Sequence, residues 1–315
     1  MAGWYRMTGH PLRASLRDYL AVRRSLGFKL TRDGLLLEQF ISFCEQAGAC
    51  RVTNEVALAW VTAPAQASPG WLRMRLSVVR GFAGYLQATD PATEVPSTGS
   101  LPVRRRPIPY LYSDTDIAAL MAAARTLRRP LSAATYETII GLLDVTGMRI
   151  GEAIRLDRVD VSFPDALLTI RDSKFGKSRQ LPIQPSTVTA LRRYARRRDA
   201  LSAAPAEPSF FVHPAGNRLC YNSVQAMFRT LVRRAGLAAR SPGPHPRLHG
   251  LRHSFAVATL AGWYRDGLDV GSRLPLLATW LGHADPKWTY WYLTASPELL
   301  RLASERLEAN PGNLP

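Results

Sequence analysis

Residues 248–264 read Leu248-His249-Gly250-Leu251-Arg252-His253-Ser254-Phe255-Ala256-Val257-Ala258-Thr259-Leu260-Ala261-Gly262-Trp263-Tyr264, and their spacing predicts a helix. His249 and Arg252 stand at i and i+3 and so share a face. Leu251, Phe255 and Ala258 fall on a different face and read as core. A helix divided this way can bury one side and line a polar site with the other. Other segments carry matching residues. Arg149 lies in Thr146-Gly147-Met148-Arg149-Ile150-Gly151-Glu152, Lys174 in Ser173-Lys174-Phe175-Gly176-Lys177, and His283 ends Leu281-Gly282-His283, with Tyr292 farther along. Cationic donors gathered around one tyrosine suit a phosphodiester attacked by a phenol.

The composition agrees with a polyanionic partner. The 315 residues carry a formal charge of +17, and the basic residues come in clusters. Of 41 basic residues, lysine occurs at Lys29, Lys174, Lys177 and Lys287 alone. Arginine is effectively always protonated, whereas lysine can give up its proton in a perturbed site. Two lysines in one short loop therefore hint at proton transfer. Cys44, Cys50 and Cys220 lack metal-ligand spacing and read as reduced thiols. No apolar leader and no apolar run long enough for a membrane span is evident, so a soluble, cytoplasmic protein is expected.

The length predicts about two domains. Residues 12–88 read as helices, with Thr53 as an N-cap and Arg73, Arg75 and Arg80 interspersed in the last of them. Residues 1–95 form the expected first domain. Residues 96–109 are rich in proline, hold Arg104, Arg105 and Arg106, and read as a basic linker. A catalytic domain is expected over 110–315. Ser113 caps its first helix, Thr146-Gly147 ends a second, and strands at 166–171 and 180–183 flank a polar loop as a β-hairpin. Helices are expected again at 186–201, 222–235, 248–264, 274–281, 286–293 and 297–307. In the 274–281 helix, Leu276, Leu277, Trp280 and Leu281 read as a buried face; Trp288 and Trp291 read as core.

In their order and local context, Arg149, Lys174, His249, Arg252, His283 and Tyr292 resemble the catalytic set of the tyrosine recombinases, the family of Cre, the Xer proteins and lambda integrase. The resemblance covers roughly residues 110–307 and reaches the first domain only as a pattern of helices. It implies a mainly α fold with a small antiparallel β-sheet, built from a SAM-like core-binding domain and a tyrosine-recombinase catalytic domain. Arg149, Arg252, His249 and His283 would donate to the nonbridging phosphate oxygens. Lys174 would protonate the departing 5′ oxygen, with Lys177 its competitor in the same loop. Tyr292 would be the nucleophile by its spacing from His283; Tyr290 is the nearest rival and Tyr264 the third choice. Glu152 either orients Arg149 or is an ordinary first-turn acid. His253 corresponds to a position usually buried and structural. Asp285-Pro286-Lys287-Trp288 departs from the small hydroxyl residues of many relatives, and Lys287 there could touch DNA.

The implied reaction is site-specific recombination through a covalent 3′-phosphotyrosine, with no metal or other cofactor. The implied partner is double-stranded DNA with an inverted-repeat core site, gripped by a tetramer on two sites, formed by this chain alone or with related recombinases. Lys-Phe-Gly-Lys-Ser-Arg also resembles recombinases of transposons that encode several integrases in a row. Arg73, Arg75, Arg80, Arg104, Arg105, Arg106, Lys177, Arg192, Arg193, Arg196 and Arg197 are the candidate DNA contacts, on two domains that would close around the duplex. The C-terminal helix would pack on its own domain or on a neighbouring protomer. Two alternatives share parts of this pattern. Strand relaxation of the type IB topoisomerase kind uses similar chemistry. A metal-dependent transposase or nuclease would need clustered carboxylates, and Asp144, Asp157, Asp160 and Asp172 give no such pattern.

Overall fold

The computed structural model describes residues 10–101, 108–171, 178–201, 208–237, 244–283, 285–294 and 296–309. The chain divides into two compact units, Met1–Arg106 and Pro107–Pro315.

The first unit holds α1 (Pro11–Ser25), α2 (Thr31–Gln46), α3 (Asn54–Thr62) and α4 (Pro69–Gln87). Their starts follow local chemistry. Pro11 and Pro69 occupy the first turns of α1 and α4, where the missing N–H costs nothing. The hydroxyls of Thr53 and Ser68 accept from the amides of Val56 and Trp71. Leu16, Leu37, Phe40, Ile41, Val79 and Phe82 form the centre of the core. The unit extends further than its helices. Leu101 is buried in the same core, and Arg80 donates to the Pro96 carbonyl. Residues 96–101, expected in the linker, are thus packed on this unit. Arg104, Arg105 and Arg106 lie outside the described residues.

The second unit begins with α5 (Asp114–Arg125), α6 (Pro130–Thr146) and α7 (Ile150–Arg155). Ser113 and Asp116 cap α5 reciprocally, side chain to backbone. Strands β1 (Val161–Ser162), β2 (Leu167–Ile170) and β3 (Arg179–Pro182) form an antiparallel sheet in that order, with Leu168 opposite Leu181. The tip of the hairpin, with Lys174 and Lys177, lies outside the described residues. Then come α8 (Pro185–Leu201), α9 (Tyr221–Arg234), α10 (Leu248–Arg265), α11 (Val270–Leu281), α12 (Lys287–Tyr290), a 3-10 turn (Trp291–Thr294) and α13 (Pro297–Ala309). The mainly α architecture with one small antiparallel sheet is as expected.

Helix α6 is central, packing against α5, α8 and α10. Helix α10 leaves one core cluster and enters another. Its Leu248 and Leu251 belong to the cluster around α6, whereas Ala256, Val257, Leu260 and Ala261 pack with α11 and α13. The buried face therefore shifts along the helix, and Ala258, expected in the core, is exposed. Helix α11 starts at Val270, and its buried stripe is Leu274, Leu277, Ala278 and Leu281. Leu276 consequently points outward, 63% exposed. Trp288 is also exposed, because α12 stops at Tyr290 and the helical register expected over 286–293 does not persist. Helix α13 packs on α10 of its own chain, with Leu299 buried.

Candidate active site

Two helix ends create the site. Gly147, in the left-handed region at φ 60°, closes α6; a Cβ there would lie 2.3 Å from the Phe255 ring. Gly282 closes α11 at φ 66°, where a Cβ would meet the Arg179 guanidinium at 2.6 Å. Both positions require glycine for conformation and for space.

The carbonyls at the end of α11 each hold one arginine. Trp280 O accepts from Arg179 Nε at 2.8 Å, Leu281 O from Arg252 Nη2 at 2.6 Å, and Gly282 O from Arg149 Nη2 at 3.1 Å. Helix C-terminal carbonyls lack partners within the helix and favour positive charge. Arg252 also donates from Nη1 to Gly147 O at 2.9 Å, so one guanidinium ties the ends of α6 and α11 together. It is 2% exposed. Burial, then the neighbouring Arg149, lowers its pKa to about 10, which still leaves it protonated at neutral pH.

Glu152 is the acid that balances this charge. It accepts from Arg149 Nη1 and from Arg179 Nη1 and Nη2, at 2.9, 3.2 and 2.9 Å. Burial pushes its carboxyl up, but hydrogen bonds and charge from Arg179 and Arg149 outweigh this and hold it below the usual carboxylate range. The Arg149 amide donates to Glu152 Oε2 at 2.9 Å, so at this helix start the guanidinium faces the site without its own N–H. Glu152 is therefore an orienting acid and more than a first-turn residue. Arg179 was missed in the sequence, where it reads as the end of a polar loop. The available signal was strand alternation: Arg179 shares the inward face of β3 with buried Leu181.

The remaining groups converge on Tyr292, which sits in the 3-10 turn and is 2% exposed. Its hydroxyl lies 3.2 Å from His253 Nδ1, and its ring stands parallel to that of His283 with centroids 6.2 Å apart. His253 is thus a neighbour of the tyrosine oxygen, a contact the sequence did not reveal. His249, exposed on α10, presents its ring edge-to-face to His253 at 4.6 Å. His283 Nδ1 lies 2.7 Å from the buried Thr289 hydroxyl. Burial, then the charges of Arg252 and Arg149, lowers the His283 pKa to about 4, so it is neutral near pH 7. Tyr290 is exposed, and Tyr264 lies on the far end of α10.

Residues 111–298 match the phage integrase family model. This chain belongs to the phage integrase family. It is 44% identical over 303 residues to a chain named integrase/recombinase y4rB from Sinorhizobium fredii (strain NBRC 101917 / NGR234), covering 94% of this chain and 96% of that one. It is 30% identical over 305 residues to tyrosine recombinase XerC of Mycobacterium sp. (strain KMS), covering 92% and 95%. Among solved structures, the Tn1549 transposon integrase in complex with transposon right end DNA superposes with a TM-score of 0.67 at 16% identity, covering 94% of this chain and 98% of that one. The fold is thus that of the tyrosine recombinases, and the protein is an enzyme of that family.

The expected DNA contacts separate into groups. Arg192, Arg193, Arg196 and Arg197 are exposed on α8. Arg73 and Arg80 are partly buried on α4. Arg75 departs from expectation: it is 7% exposed, its guanidinium stacks 3.6 Å from the Trp60 ring centre, and it donates to the Trp60 carbonyl at 2.5 Å. It braces the first unit's core and is not at the surface. Among the described residues, His, Cys, Asp and Glu do not gather in threes as a metal site. No helix of the described residues is long and apolar enough to cross a membrane.

Proposed function

We propose that this chain cuts and rejoins specific DNA sites through a covalent 3′-phosphotyrosine on Tyr292, without a metal or cofactor. The observation that carries this reading is the buried Tyr292, whose hydroxyl lies 3.2 Å from His253 Nδ1 on the same helix as Arg252, itself fixed between two helix-end carbonyls. The Tyr292 oxygen bonds to phosphorus as the bond to the 5′ oxygen breaks. Arg149, Arg252, His249 and His283 donate to the nonbridging oxygens as charge builds on them. His283 acts as a neutral donor unless the phosphate itself raises its pKa. Lys174, or failing it Lys177, protonates the 5′ oxygen. Because the phosphotyrosine conserves the bond energy, another 5′-hydroxyl reverses the step.

The partner in this reading is duplex DNA with an inverted-repeat core, held by a tetramer across two sites in the cytoplasm. Residues 1–95 serve as the core-binding domain and the arginines of 104–106 follow the backbone. Arg73, Arg80, Arg192, Arg193, Arg196 and Arg197 are the phosphate contacts. Each such contact removed, for example by Arg196→Gln, should lower the slope of log affinity against log salt by about 0.9; an unchanged slope removes that residue from the set.

The central test uses a nicked duplex selected from a randomised library by its SDS-resistant capture on the wild-type chain. Tyr292→Phe should bind this duplex and form no covalent adduct. An adduct that survives Tyr292→Phe and vanishes in Tyr290→Phe transfers the role to Tyr290.

A further inference from the structure

We infer that His253 is the base that takes the Tyr292 hydroxyl proton; this rests on Tyr292 being the nucleophile. The phenol has an ordinary pKa of about 10, so attack at neutral pH needs an acceptor within reach. Bulk water is a poor candidate, because Tyr292 is 2% exposed. The arginines around it have no acceptor atom. His283 is held through Nδ1 by the Thr289 hydroxyl, with its ring parallel to that of the tyrosine. His253 Nδ1 is 3.2 Å from the hydroxyl, within the range for proton transfer to a positioned base.

Helix α10 gives adjacent residues different tasks. One residue along a helix turns the side chain by about 100°. Arg252 therefore faces the helix-end carbonyls, while His253 faces the 3-10 turn that carries Tyr292. Among the described residues, the charged or titratable groups around the pair include His249 and Arg252 on α10, His283 beyond α11, and Arg149 and Arg179 behind them; Trp291 adds an uncharged ring 5.2 Å from His253. In the step, the Tyr292 O–H bond breaks and its proton moves to His253 Nδ1, giving an imidazolium. The phenolate oxygen bonds to phosphorus, and the 5′ oxygen leaves with a proton from the hairpin lysine. Rejoining runs backward, and the imidazolium returns its proton to Tyr292.

The test measures adduct formation by the full chain on the selected nicked duplex as a function of pH. His253→Asn keeps a polar group near the Nδ1 position but cannot take the proton; His253→Ala removes both. Each should slow the adduct about a hundredfold while DNA affinity and melting temperature hold. The wild-type rate should rise with pH and level off once His253 is neutral, whereas the variants should keep rising toward the tyrosine's own ionisation. Added imidazole should restore His253→Ala. A 5′-bridging sulfur, which leaves without protonation, should rescue Lys174→Ala and neither His253 variant. A His253→Asn rate and pH profile equal to wild type overturns the proposal and leaves His253 as a positioning residue. If His253→Ala does not fold, His253→Asn alone decides. An adduct persisting in Tyr292→Phe instead refutes the nucleophile on which the inference rests.

Discussion

Two buried arginines, Arg75 in the first unit and Arg252 in the second, look alike by accessibility and differ in everything around them. Arg75 lies on the Trp60 indole and donates to one carbonyl, while its Nε finds no hydrogen-bond partner among the described residues. Arg252 donates to carbonyls from two helix ends and shares its surroundings with Arg149, Arg179, His283 and Tyr292. Burying a cation is costly in either case. In the first unit an aromatic face and a carbonyl offset the cost. In the second, the charges are concentrated beyond what the local core needs, and Glu152 balances only part of them. Surplus positive charge, rather than burial of an arginine as such, separates the surroundings of Arg252 from those of Arg75.

The sharpest way to break this contrast is to remove each arginine. Arg252→Ala should reduce adduct formation on the nicked duplex by about a hundred- to thousandfold. Arg75→Met, which keeps the bulk and removes the charge, should leave that rate near wild type and instead cost about 2 kcal/mol of stability in urea unfolding. Equal losses of rate, measured where both variants are folded, would erase the distinction. A half-buried acid sharpens the same point from the other side. Burial, with a smaller contribution from Asp114, raises the Asp144 carboxyl to about 6. A raised acid favours the folded state below its unfolded pKa and loses that benefit as pH rises through the folded value. Asp144→Asn should therefore stabilise the protein at pH 7.5 by about 1 kcal/mol, after allowance for partial exposure, and leave it unchanged near pH 4. An equal effect at both pH values would show that the ionised carboxylate is not the cause.

Much of this was legible in the sequence because it is local. Thr53, Ser113, Gly147 and Gly282 act within a turn of their own position, and the helix and strand assignments follow from them and from periodicity. The order of Arg149, His249, Arg252, His283 and Tyr292 was readable through motif context, and the fold brings these side chains to the two helix ends and the turn that follows. What stayed hidden depends on distant partners. Arg75 lies in a basic-looking helix, and only Trp60 on α3 makes it internal. Arg179 needs Glu152 and the end of α11 to reveal its place. His253 sits beside a motif arginine, and its nearness to Tyr292 depends on where the 3-10 turn folds back. Leu276 was misplaced because the buried stripe of α11 runs through Leu274, Leu277, Ala278 and Leu281, and Trp288 because α12 stops at Tyr290.

The three successive carbonyls at the end of α11 have a mechanical consequence. Arg179, Arg252 and Arg149 are latched to one short rigid piece of backbone, so they cannot be set independently. A displacement of that helix end by the length of a hydrogen bond would unseat all three together and, through Gly147, loosen the end of α6 as well. The three arginines are thus tied to one another through that helix end, and whatever displaces it acts on all three at once.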